Sequence, residues 1–273
     1  MDREPIELRT RSNAEGTEPR AQSREPSAEV MPRIRLDQLV VERGLAPSRE
    51  RARARILAGQ VTVDDRPATK AGTSFNHEAT VALHTPNHPY AGRGGRKLAH
   101  ALDTFHIEVR GRECLDIGAS TGGFTDVLLQ RGAGRVVALD VGHGQLDWKI
   151  RNDERVVVIE RFNARHLTIG DLPSAVDLVT IDVSFISLRQ ILPAVTPVLR
   201  PGADVVALVK PQFEAGRAEV RKGIIRDPAV HARVIEEVTA AGTEVGLSRV
   251  ASTPSPITGQ KGNVEFLVHF RPS

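Results

Sequence analysis

The amino-acid sequence predicts an α/β protein: a doubly wound, largely parallel seven-stranded sheet preceded by a small α+β domain. Three observations lead there. After residue 113, short runs of Val, Ile and Leu alternate with segments of helical periodicity, as strands joined by crossover helices do. Residues 32–72 hold a separate basic block with two short amphipathic patterns and a strand-like run. Residues 1–31 show almost no apolar periodicity. A chain of 273 residues, 40% apolar and 26% charged, has room for one ordinary domain and a small one around a sizeable core.

Taken in order, residues 1–31 mix Glu, Arg, Ser and Pro and bury too little to offset their ordering entropy, so a disordered tail is expected. The small domain is expected over residues 32–83. Leu36, Leu39 and Val40 mark a first helix that Gly44 stops, and Ser48 caps a second one carrying Ile56 and Leu57. Residues 59–66 read as a strand entering a turn, and residues 81–83 as another strand. Residues 84–92 form the expected linker, and the larger domain covers 93–273. Its strands are expected at residues 114–117, 136–141, 156–159, 178–182, 205–209, 245–251 and 264–270, with helices among them at 124–131, 188–199 and 229–241. Asp227 and Pro228 start the last of these helices and put His231 in its first turn, where a structural role is expected. Tyr90 and Trp148 can either pack or stack on a base.

The formal charge of +3 conceals a gradient. Residues 1–31 hold five Arg against seven acids, whereas residues 32–72 hold nine Lys or Arg against five. So compact a basic block suits a polyanionic partner. Arg49 and Arg53 lie four apart and share one helical face, where each guanidinium can fork onto a phosphate. The single cysteine, Cys114, excludes an internal disulfide framework and sits in an apolar run as a small buried hydrophobe. No segment has the length and apolarity of a membrane span, and no signal-peptide core begins the chain. A cytoplasmic protein is expected. The histidines at residues 73–90 lack any metal-ligand spacing, and no metal is expected.

Arg35-Leu36-Asp37-Gln38-Leu39-Val40, Arg43-Gly44-Leu45-Ala46-Pro47-Ser48-Arg49-Glu50-Arg51-Ala52 and Ile56-Leu57-Ala58-Gly59-Gln60-Val61-Thr62-Val63 together resemble the RNA-binding module named after ribosomal protein S-four. The likeness implies docking on structured RNA, with Arg35, Arg43, Arg49 and Arg53 as contacts, and with Arg93 and Arg96 of the next segment beside them.

The strongest local signal is Leu115-Asp116-Ile117-Gly118-Ala119-Ser120-Thr121-Gly122-Gly123-Phe124, an apolar strand that ends in an acid and a glycine-rich turn and opens directly into a helix. Glycines let backbone approach a ligand closely, and helix N-terminal amides face whatever lies there. The spacing is neither the dinucleotide fingerprint nor a phosphate loop. It resembles the first motif of S-adenosylmethionine methyltransferases, and a seven-stranded sheet ending in a close pair is what that class (class I, Rossmann-like) needs. On that reading Asp116, Gly118, Ser120, Thr121, Gly122, Gly123 and Phe124 meet S-adenosylmethionine. Asp140, at the end of the next strand, accepts from both ribose hydroxyls, and Asn163, after the third, reads adenine with its amide.

Four ionisable residues stand where chemistry is expected: Lys97 after a glycine-rich stretch, Asp182 and Lys210 at the carboxyl ends of two strands, and Glu265 in the last strand. Methylating a hydroxyl needs a base for a weakly acidic alcohol, and a lysine serves where burial or a like charge favours its neutral form. The pattern resembles the Lys-Asp-Lys-Glu tetrad of FtsJ-type ribose 2′-O-methyltransferases. That likeness makes Lys210 the base, has Lys97 orient the nucleotide, and has Asp182 and Glu265 position the two ammonium groups.

Further runs extend the resemblance over residues 33–271: Tyr90-x-x-Arg93-Gly94-Gly95-x-Lys97-Leu98, Lys222-Gly223-x-x-Arg226-Asp227-Pro228-x-x-His231 and Ser255-Pro256-Ile257-Thr258-Gly259-x-x-Gly262-Asn263-x-Glu265-Phe266. They are similar to the TlyA (hemolysin A) family, which implies 2′-O-methylation of cytidines in ribosomal RNA, with ribosomal RNA or ribosomal subunits as partners. Ala91-Gly92 departs from that pattern, which has a larger residue and Ser there. Three other readings compete: an RNA-binding assembly factor with an inactive methyltransferase fold, a cytolysin, and methylation of a base rather than a ribose. Loss of cofactor binding would favour the first, and liposome leakage the second. The third has no cysteine at hand for covalent attack on a pyrimidine, and the two lysines favour a hydroxyl acceptor.

Overall fold

Alternating apolar residues and capped helices organise the first part of the chain. The computed structural model describes residues 33–84, 89–216, 219–220, 223–259 and 261–273. The expected tail, part of the expected linker and Lys222 lie outside the described residues. The small N-terminal part runs β1 (Arg33–Arg35), α1 (Leu36–Glu42), α2 (Arg49–Leu57), β2 (Val61–Val63), β3 (Arg66–Pro67), β4 (Ser74–Asn76) and β5 (Val81–Leu83). β1 pairs with β4, and β2 lies between β3 and β5, all antiparallel. Gly44 ends the first helical segment with φ +69°, and Ser48 Oγ accepts from Arg51 N at 3.3 Å to open α2. Leu36, Val40, Ala52, Ile56, Val61 and Val63 form the core between helices and strands.

The larger part begins with α3 (Gly95–Thr104), β6 (Glu113–Ile117), α4 (Gly123–Gln130), β7 (Arg135–Asp140), α5 (Trp148–Arg151), β8 (Val156–Glu160) and β9 (Val176–Ile181). It continues with α6 (Leu192–Val195), β10 (Leu199–Val209), α7 (Pro211–Glu214), α8 (Pro228–Glu244), β11 (Leu247–Pro254) and β12 (Phe266–Pro272). The seven strands are ordered β11-β12-β10-β9-β6-β7-β8, with β12 antiparallel to both neighbours and β6 to β10 parallel. Successive residues of a strand point to opposite faces. Leu115, Ile117 and Val179 accordingly enter one core layer, and Cys114 and Leu178 the other. Burial pushes the Cys114 thiol up to about 12, so it packs as a neutral group, as expected.

The seven strands form where the sequence puts them, with three corrections. Residues 188–199 are not one helix: Pro193 and Pro197 break the hydrogen-bond ladder into 3-10 turns at Leu188–Gln190 and Thr196–Val198 around the single turn of α6. β11 begins at Leu247 because Val245 caps α8. Glu265 lies one residue before β12 rather than in it. Asp227 Oδ1 accepts from Ala229 N at 2.9 Å and starts α8, as its sequence predicts. His231 is buried, with Nε2 3.2 Å from the Ile225 carbonyl and its ring 5.4 Å from that of Phe266. At the far end of the sheet, the Asp204 carboxylate is buried and takes Arg112 Nη1 at 2.6 Å and Arg271 Nε at 2.8 Å, with His269 Nε2 also at 2.8 Å. Burial alone would raise its pKa; these three partners hold it well below the usual carboxylate range. No helix among the described residues is long and apolar enough to cross a membrane.

Candidate active site

Parallel strands leave their carboxyl ends and the loops beyond them on one side, and there the protein opens a cavity of about 880 Å³. The turn after β6 forms one wall. Gly118 N and Ala119 N both donate to the Leu139 carbonyl, at 2.8 and 3.1 Å, which welds the turn to β7. Gly118 has φ +87°, and a Cβ there would stand 2.4 Å from the Asp182 carbonyl oxygen. Only glycine lets the β6 and β9 ends approach so closely. Ser120 also adopts positive φ, +49°, and its N–H donates to Asp140 Oδ2 at 2.8 Å. Gly122, with φ +94°, opens α4, and a Cβ would meet Ile150 Cδ1 at 2.5 Å. Gly123 faces the Gly92 carbonyl, and Thr121 and Phe124 are buried on the cavity side.

Asp140 lines the cavity at the end of β7, and each oxygen receives one backbone N–H, from Ser120 and, at 2.6 Å, from Gly142. A carboxylate oxygen has two lone pairs, so both remain able to accept from a ligand. Asn163 also lines the cavity; its Oδ1 accepts from Arg165 N at 3.1 Å, and its NH₂ has no partner among the described residues. Asp116 is placed differently from the expectation. It lies beneath the turn rather than on the cavity wall, fully buried, with Thr125 Oγ1 donating at 2.6 Å and Thr180 Oγ1 at 3.0 Å. Side chains alternate along a strand, and Asp116 falls on the inward phase. It braces α4 and β9 to β6, and direct contact with a ligand is not available to it.

The four ionisable residues converge as two pairs. Lys97 Nζ lies 2.5 Å from Glu265 Oε2, and Lys210 Nζ 2.5 Å from Asp182 Oδ1 and 2.9 Å from Ser184 Oγ. All four line the cavity, and both lysines are more than nine-tenths buried. Burial alone would raise the pKa of Asp182, but the positive charges of Lys210 and Lys97 pull it below its ordinary value. Glu265 is housed by Gly259, where a Cβ would sit 2.5 Å from Glu265 Oε1. α3, which sequence patterning missed, carries Lys97 inward because Leu98, Ala101 and Leu102 on the same side are buried.

The arginines expected to meet phosphate are arranged unlike a row of free cations. Arg35, Arg49 and Arg53 all reach the fully buried Asp37, with nitrogens 3.0, 3.1 and 3.1 Å from its oxygens. The three guanidiniums hold its carboxyl far below the usual range against the effect of burial. Each remains about half exposed, so the cluster is a braced cationic surface. Arg43 donates to the His77 carbonyl at 2.7 Å, Arg93 to the Thr258 carbonyl at the cavity edge, and Arg96 is exposed. Tyr90 packs under Gly95, whereas Trp148 is exposed. Sequence reading missed Phe185, 91% exposed with φ +65°, lining the cavity with its ring 5.0 Å from Phe213. An exposed aromatic after a strand-end acid carries no periodic signal; only its surroundings distinguish it.

A sheet with one antiparallel strand pushed between its last parallel strand and its edge, a glycine turn after the first strand and an acid after the second define a class I methyltransferase, whose methyl donor is S-adenosylmethionine. The chain belongs to the FtsJ-like methyltransferase family, which matches residues 90–272, and carries an S4 domain matching residues 34–81. It is 48% identical over 241 residues to the 16S/23S rRNA (cytidine-2′-O)-methyltransferase TlyA of Mycobacterium tuberculosis, spanning 88% of this chain and 90% of the relative. It is 43% identical over 242 residues to Hemolysin A of Brachyspira hyodysenteriae, spanning 87% and 99%. Among solved structures, a hemolysin-named protein of Streptococcus thermophilus superposes with a TM-score of 0.70 at 43% identity, covering 89% of this chain and 90% of that one. The cavity suits the cofactor: its volume exceeds an adenosine's needs, Asp140 keeps spare acceptor capacity, and the Asn163 amide keeps its donors.

Proposed function

We propose that this protein methylates the ribose 2′-hydroxyl of a cytidine in ribosomal RNA, and that its S4 domain docks it on ribosomal subunits. It acts in the cytoplasm. The observation that carries this reading is the pairing of two buried lysines with two carboxylates on the wall of one cavity, facing the glycine turn. The naming of the TlyA relative supplies the cytidine and the ribosomal RNA.

When bound, S-adenosylmethionine supplies a methyl group on a sulfonium, already activated for transfer. The chain's own residues bring the alcohol to it. In its neutral form Lys210 would accept the proton of the 2′-hydroxyl as that oxygen takes the methyl group and the S–C electron pair stays on sulfur, and Asp182, 2.5 Å away, would hold the ammonium that results. Ser184 Oγ, 2.9 Å from Lys210 Nζ, fixes the direction of the amine. Lys97, held by Glu265, places a second positive charge at the nucleotide. Asp140 and Asn163 seat the adenosine part of the cofactor. Phe185 offers a flat apolar face at the cavity, on which an unstacked base can lie, and such stacking contributes about 1–3 kcal/mol. The braced arginines around Asp37, with Arg43, Arg93 and Arg96, meet RNA phosphates.

The test is transfer of labelled methyl from S-adenosylmethionine to unmodified ribosomal subunits, with wild type beside Lys210→Ala. Label on a ribose 2′-oxygen of a cytidine, absent with the variant, is expected. Transfer to a base, or none to either subunit while the cofactor still binds, removes the proposal.

A further inference from the structure

Between β11 and β12 the chain makes a loop in which Asn263, a buried amide, has no part in the chemistry described above. Asn263 is 2% exposed and sits two residues before Glu265. Both polar atoms of its side chain bond to a different stretch of chain: Oδ1 accepts from Ile225 N at 3.0 Å, and Nδ2 donates to the Gly223 carbonyl at 2.9 Å. Its own carbonyl accepts from Gly259 N at 2.8 Å, and Gly262 N donates to the Gly259 carbonyl at 2.9 Å. That turn leaves the space at Gly259 which the Glu265 carboxylate fills. Ile225 is anchored in turn from α8, through its carbonyl against His231 Nε2 at 3.2 Å.

We infer that Asn263 is a positioning residue for methyl transfer: it locks the Gly259–Glu265 loop to the 223–225 segment and so fixes Glu265, and through it Lys97. The physical case rests on geometry. A buried amide that satisfies two backbone groups of a separate segment tolerates little displacement, because each broken bond leaves a buried polar group unpaired. Glu265 follows it by two residues, too short a tether to move independently. Gly223, Gly259, Asn263 and Glu265 all line the cavity, so the lock joins the wall beside the acceptor to the Lys97–Glu265 pair. Nothing in the reaction needs Asn263 to touch the acceptor; its effect passes through Glu265.

The inference rests on the proposed role of the Lys97–Glu265 pair, and a double-mutant cycle separates the two. The full-length wild type, Asn263→Ala, Glu265→Gln and the double variant are compared for kcat, KM for ribosomal subunits and cofactor Kd. Asn263→Ala is expected to lower kcat about 10- to 100-fold, as a misplacement near 1 Å does, with cofactor Kd unchanged. In the Glu265→Gln background the same change is expected to cost nothing further, because the residue it positions has already been disabled. Additive losses would overturn the inference and leave Asn263 a residue of the fold alone. An unimpaired Glu265→Gln enzyme would instead overturn the role of the pair, and the inference with it. Should Asn263→Ala fail to fold, Asn263→Asp runs the same cycle, since it keeps the volume and the acceptor for Ile225 N–H and sets an oxygen against the Gly223 carbonyl in place of the donor.

Discussion

The carboxyl of Asp116 ties together β6, α4 and β9 without reaching solvent, and its protonation makes its own contribution to stability fall as pH rises through the weakly acidic range. Burial pushes its pKa up from 3.8 to about 7; the hydroxyls of Thr125 and Thr180 work against the rise, and the neighbouring Asp182 charge adds to it. Below 3.8 the group is protonated whether the chain is folded or not. Between 3.8 and about 7 the unfolded chain releases this proton while the native protein keeps it, so the contribution of this group to stability declines across that interval and is flat above it. At about 1.4 kcal/mol for each tenfold difference in proton affinity, the whole decline is about 4 kcal/mol. Asp116→Asn has no proton to lose. Its amide costs about 1 kcal/mol where an N–H replaces an acceptor for Thr180, a loss that does not vary with pH. The difference in unfolding free energy between variant and wild type therefore shifts in favour of the variant by about 2–3 kcal/mol between about pH 5 and about pH 7.5. Urea unfolding followed by far-ultraviolet circular dichroism at several pH values reads that difference directly, and groups common to both proteins cancel. A difference independent of pH would mean that Asp116 is ionised in the native protein, and the account of its burial would fall.

Three further outcomes are expected. Gly118→Ala puts a methyl group 2.4 Å from the Asp182 carbonyl at a φ of +87°, so it should cost at least about 1–2 kcal/mol of stability and weaken cofactor binding as the turn is forced away from β9; calorimetric titration that finds the affinity unchanged would show the turn to be pliable. Asp37→Ala removes the carboxylate on which three half-exposed guanidiniums converge, and about 1–3 kcal/mol of stability should go with it. Because that carboxyl titrates below its ordinary value, its contribution is present at neutral pH and fades as pH falls below 3.8, so the gap between variant and wild-type melting curves should close in acid. Phe185→Ala should leave the melting temperature and cofactor Kd untouched, since the ring is 91% exposed, while lowering kcat/KM on ribosomal subunits by about 5- to 150-fold; equal activity would exclude a stacking role.

The strands of the sheet and the glycine turn were legible because they follow from local periodicity and from backbone that only glycine tolerates, at Gly118 and Gly122. The two lysines and their carboxylates could be picked out in chain order, and Lys210 beside Asp182 follows from two parallel strand ends that share one crevice, but the pairing of Lys97 with Glu265 depends on how β12 threads between β10 and β11. Arg49 and Arg53 read as free phosphate ligands because helical spacing shows which residues share a face and is silent about a buried Asp37 beneath them. Asp116 read as a ligand because the strand-end position is shared by residues pointing up into the crevice and down beneath the turn, and one residue of phase separates them. The broken helix at residues 188–199 was announced by Pro193 and Pro197, which apolar periodicity alone overruled. Lys97 was found without its helix, since a start at Gly95 offers no side-chain cap to mark it.

The place of β12 in the sheet bears on how the protein comes into being. Of the seven strands of this sheet it comes last in the sequence, yet it occupies an interior position, hydrogen-bonded on both sides. Until it inserts, β10 and β11 have no partner between them, and Glu265, just ahead of it, cannot reach Lys97. The S4 domain has a core cluster of its own, drawn from residues 33–84. Since domains fold as units from the N-terminal side during synthesis, a growing chain acquires its RNA-docking part well before its catalytic one. A nascent copy thus holds its RNA-docking part before it can alter RNA, and truncation between residue 84 and β12 leaves the residues of the S4 core without the completed sheet.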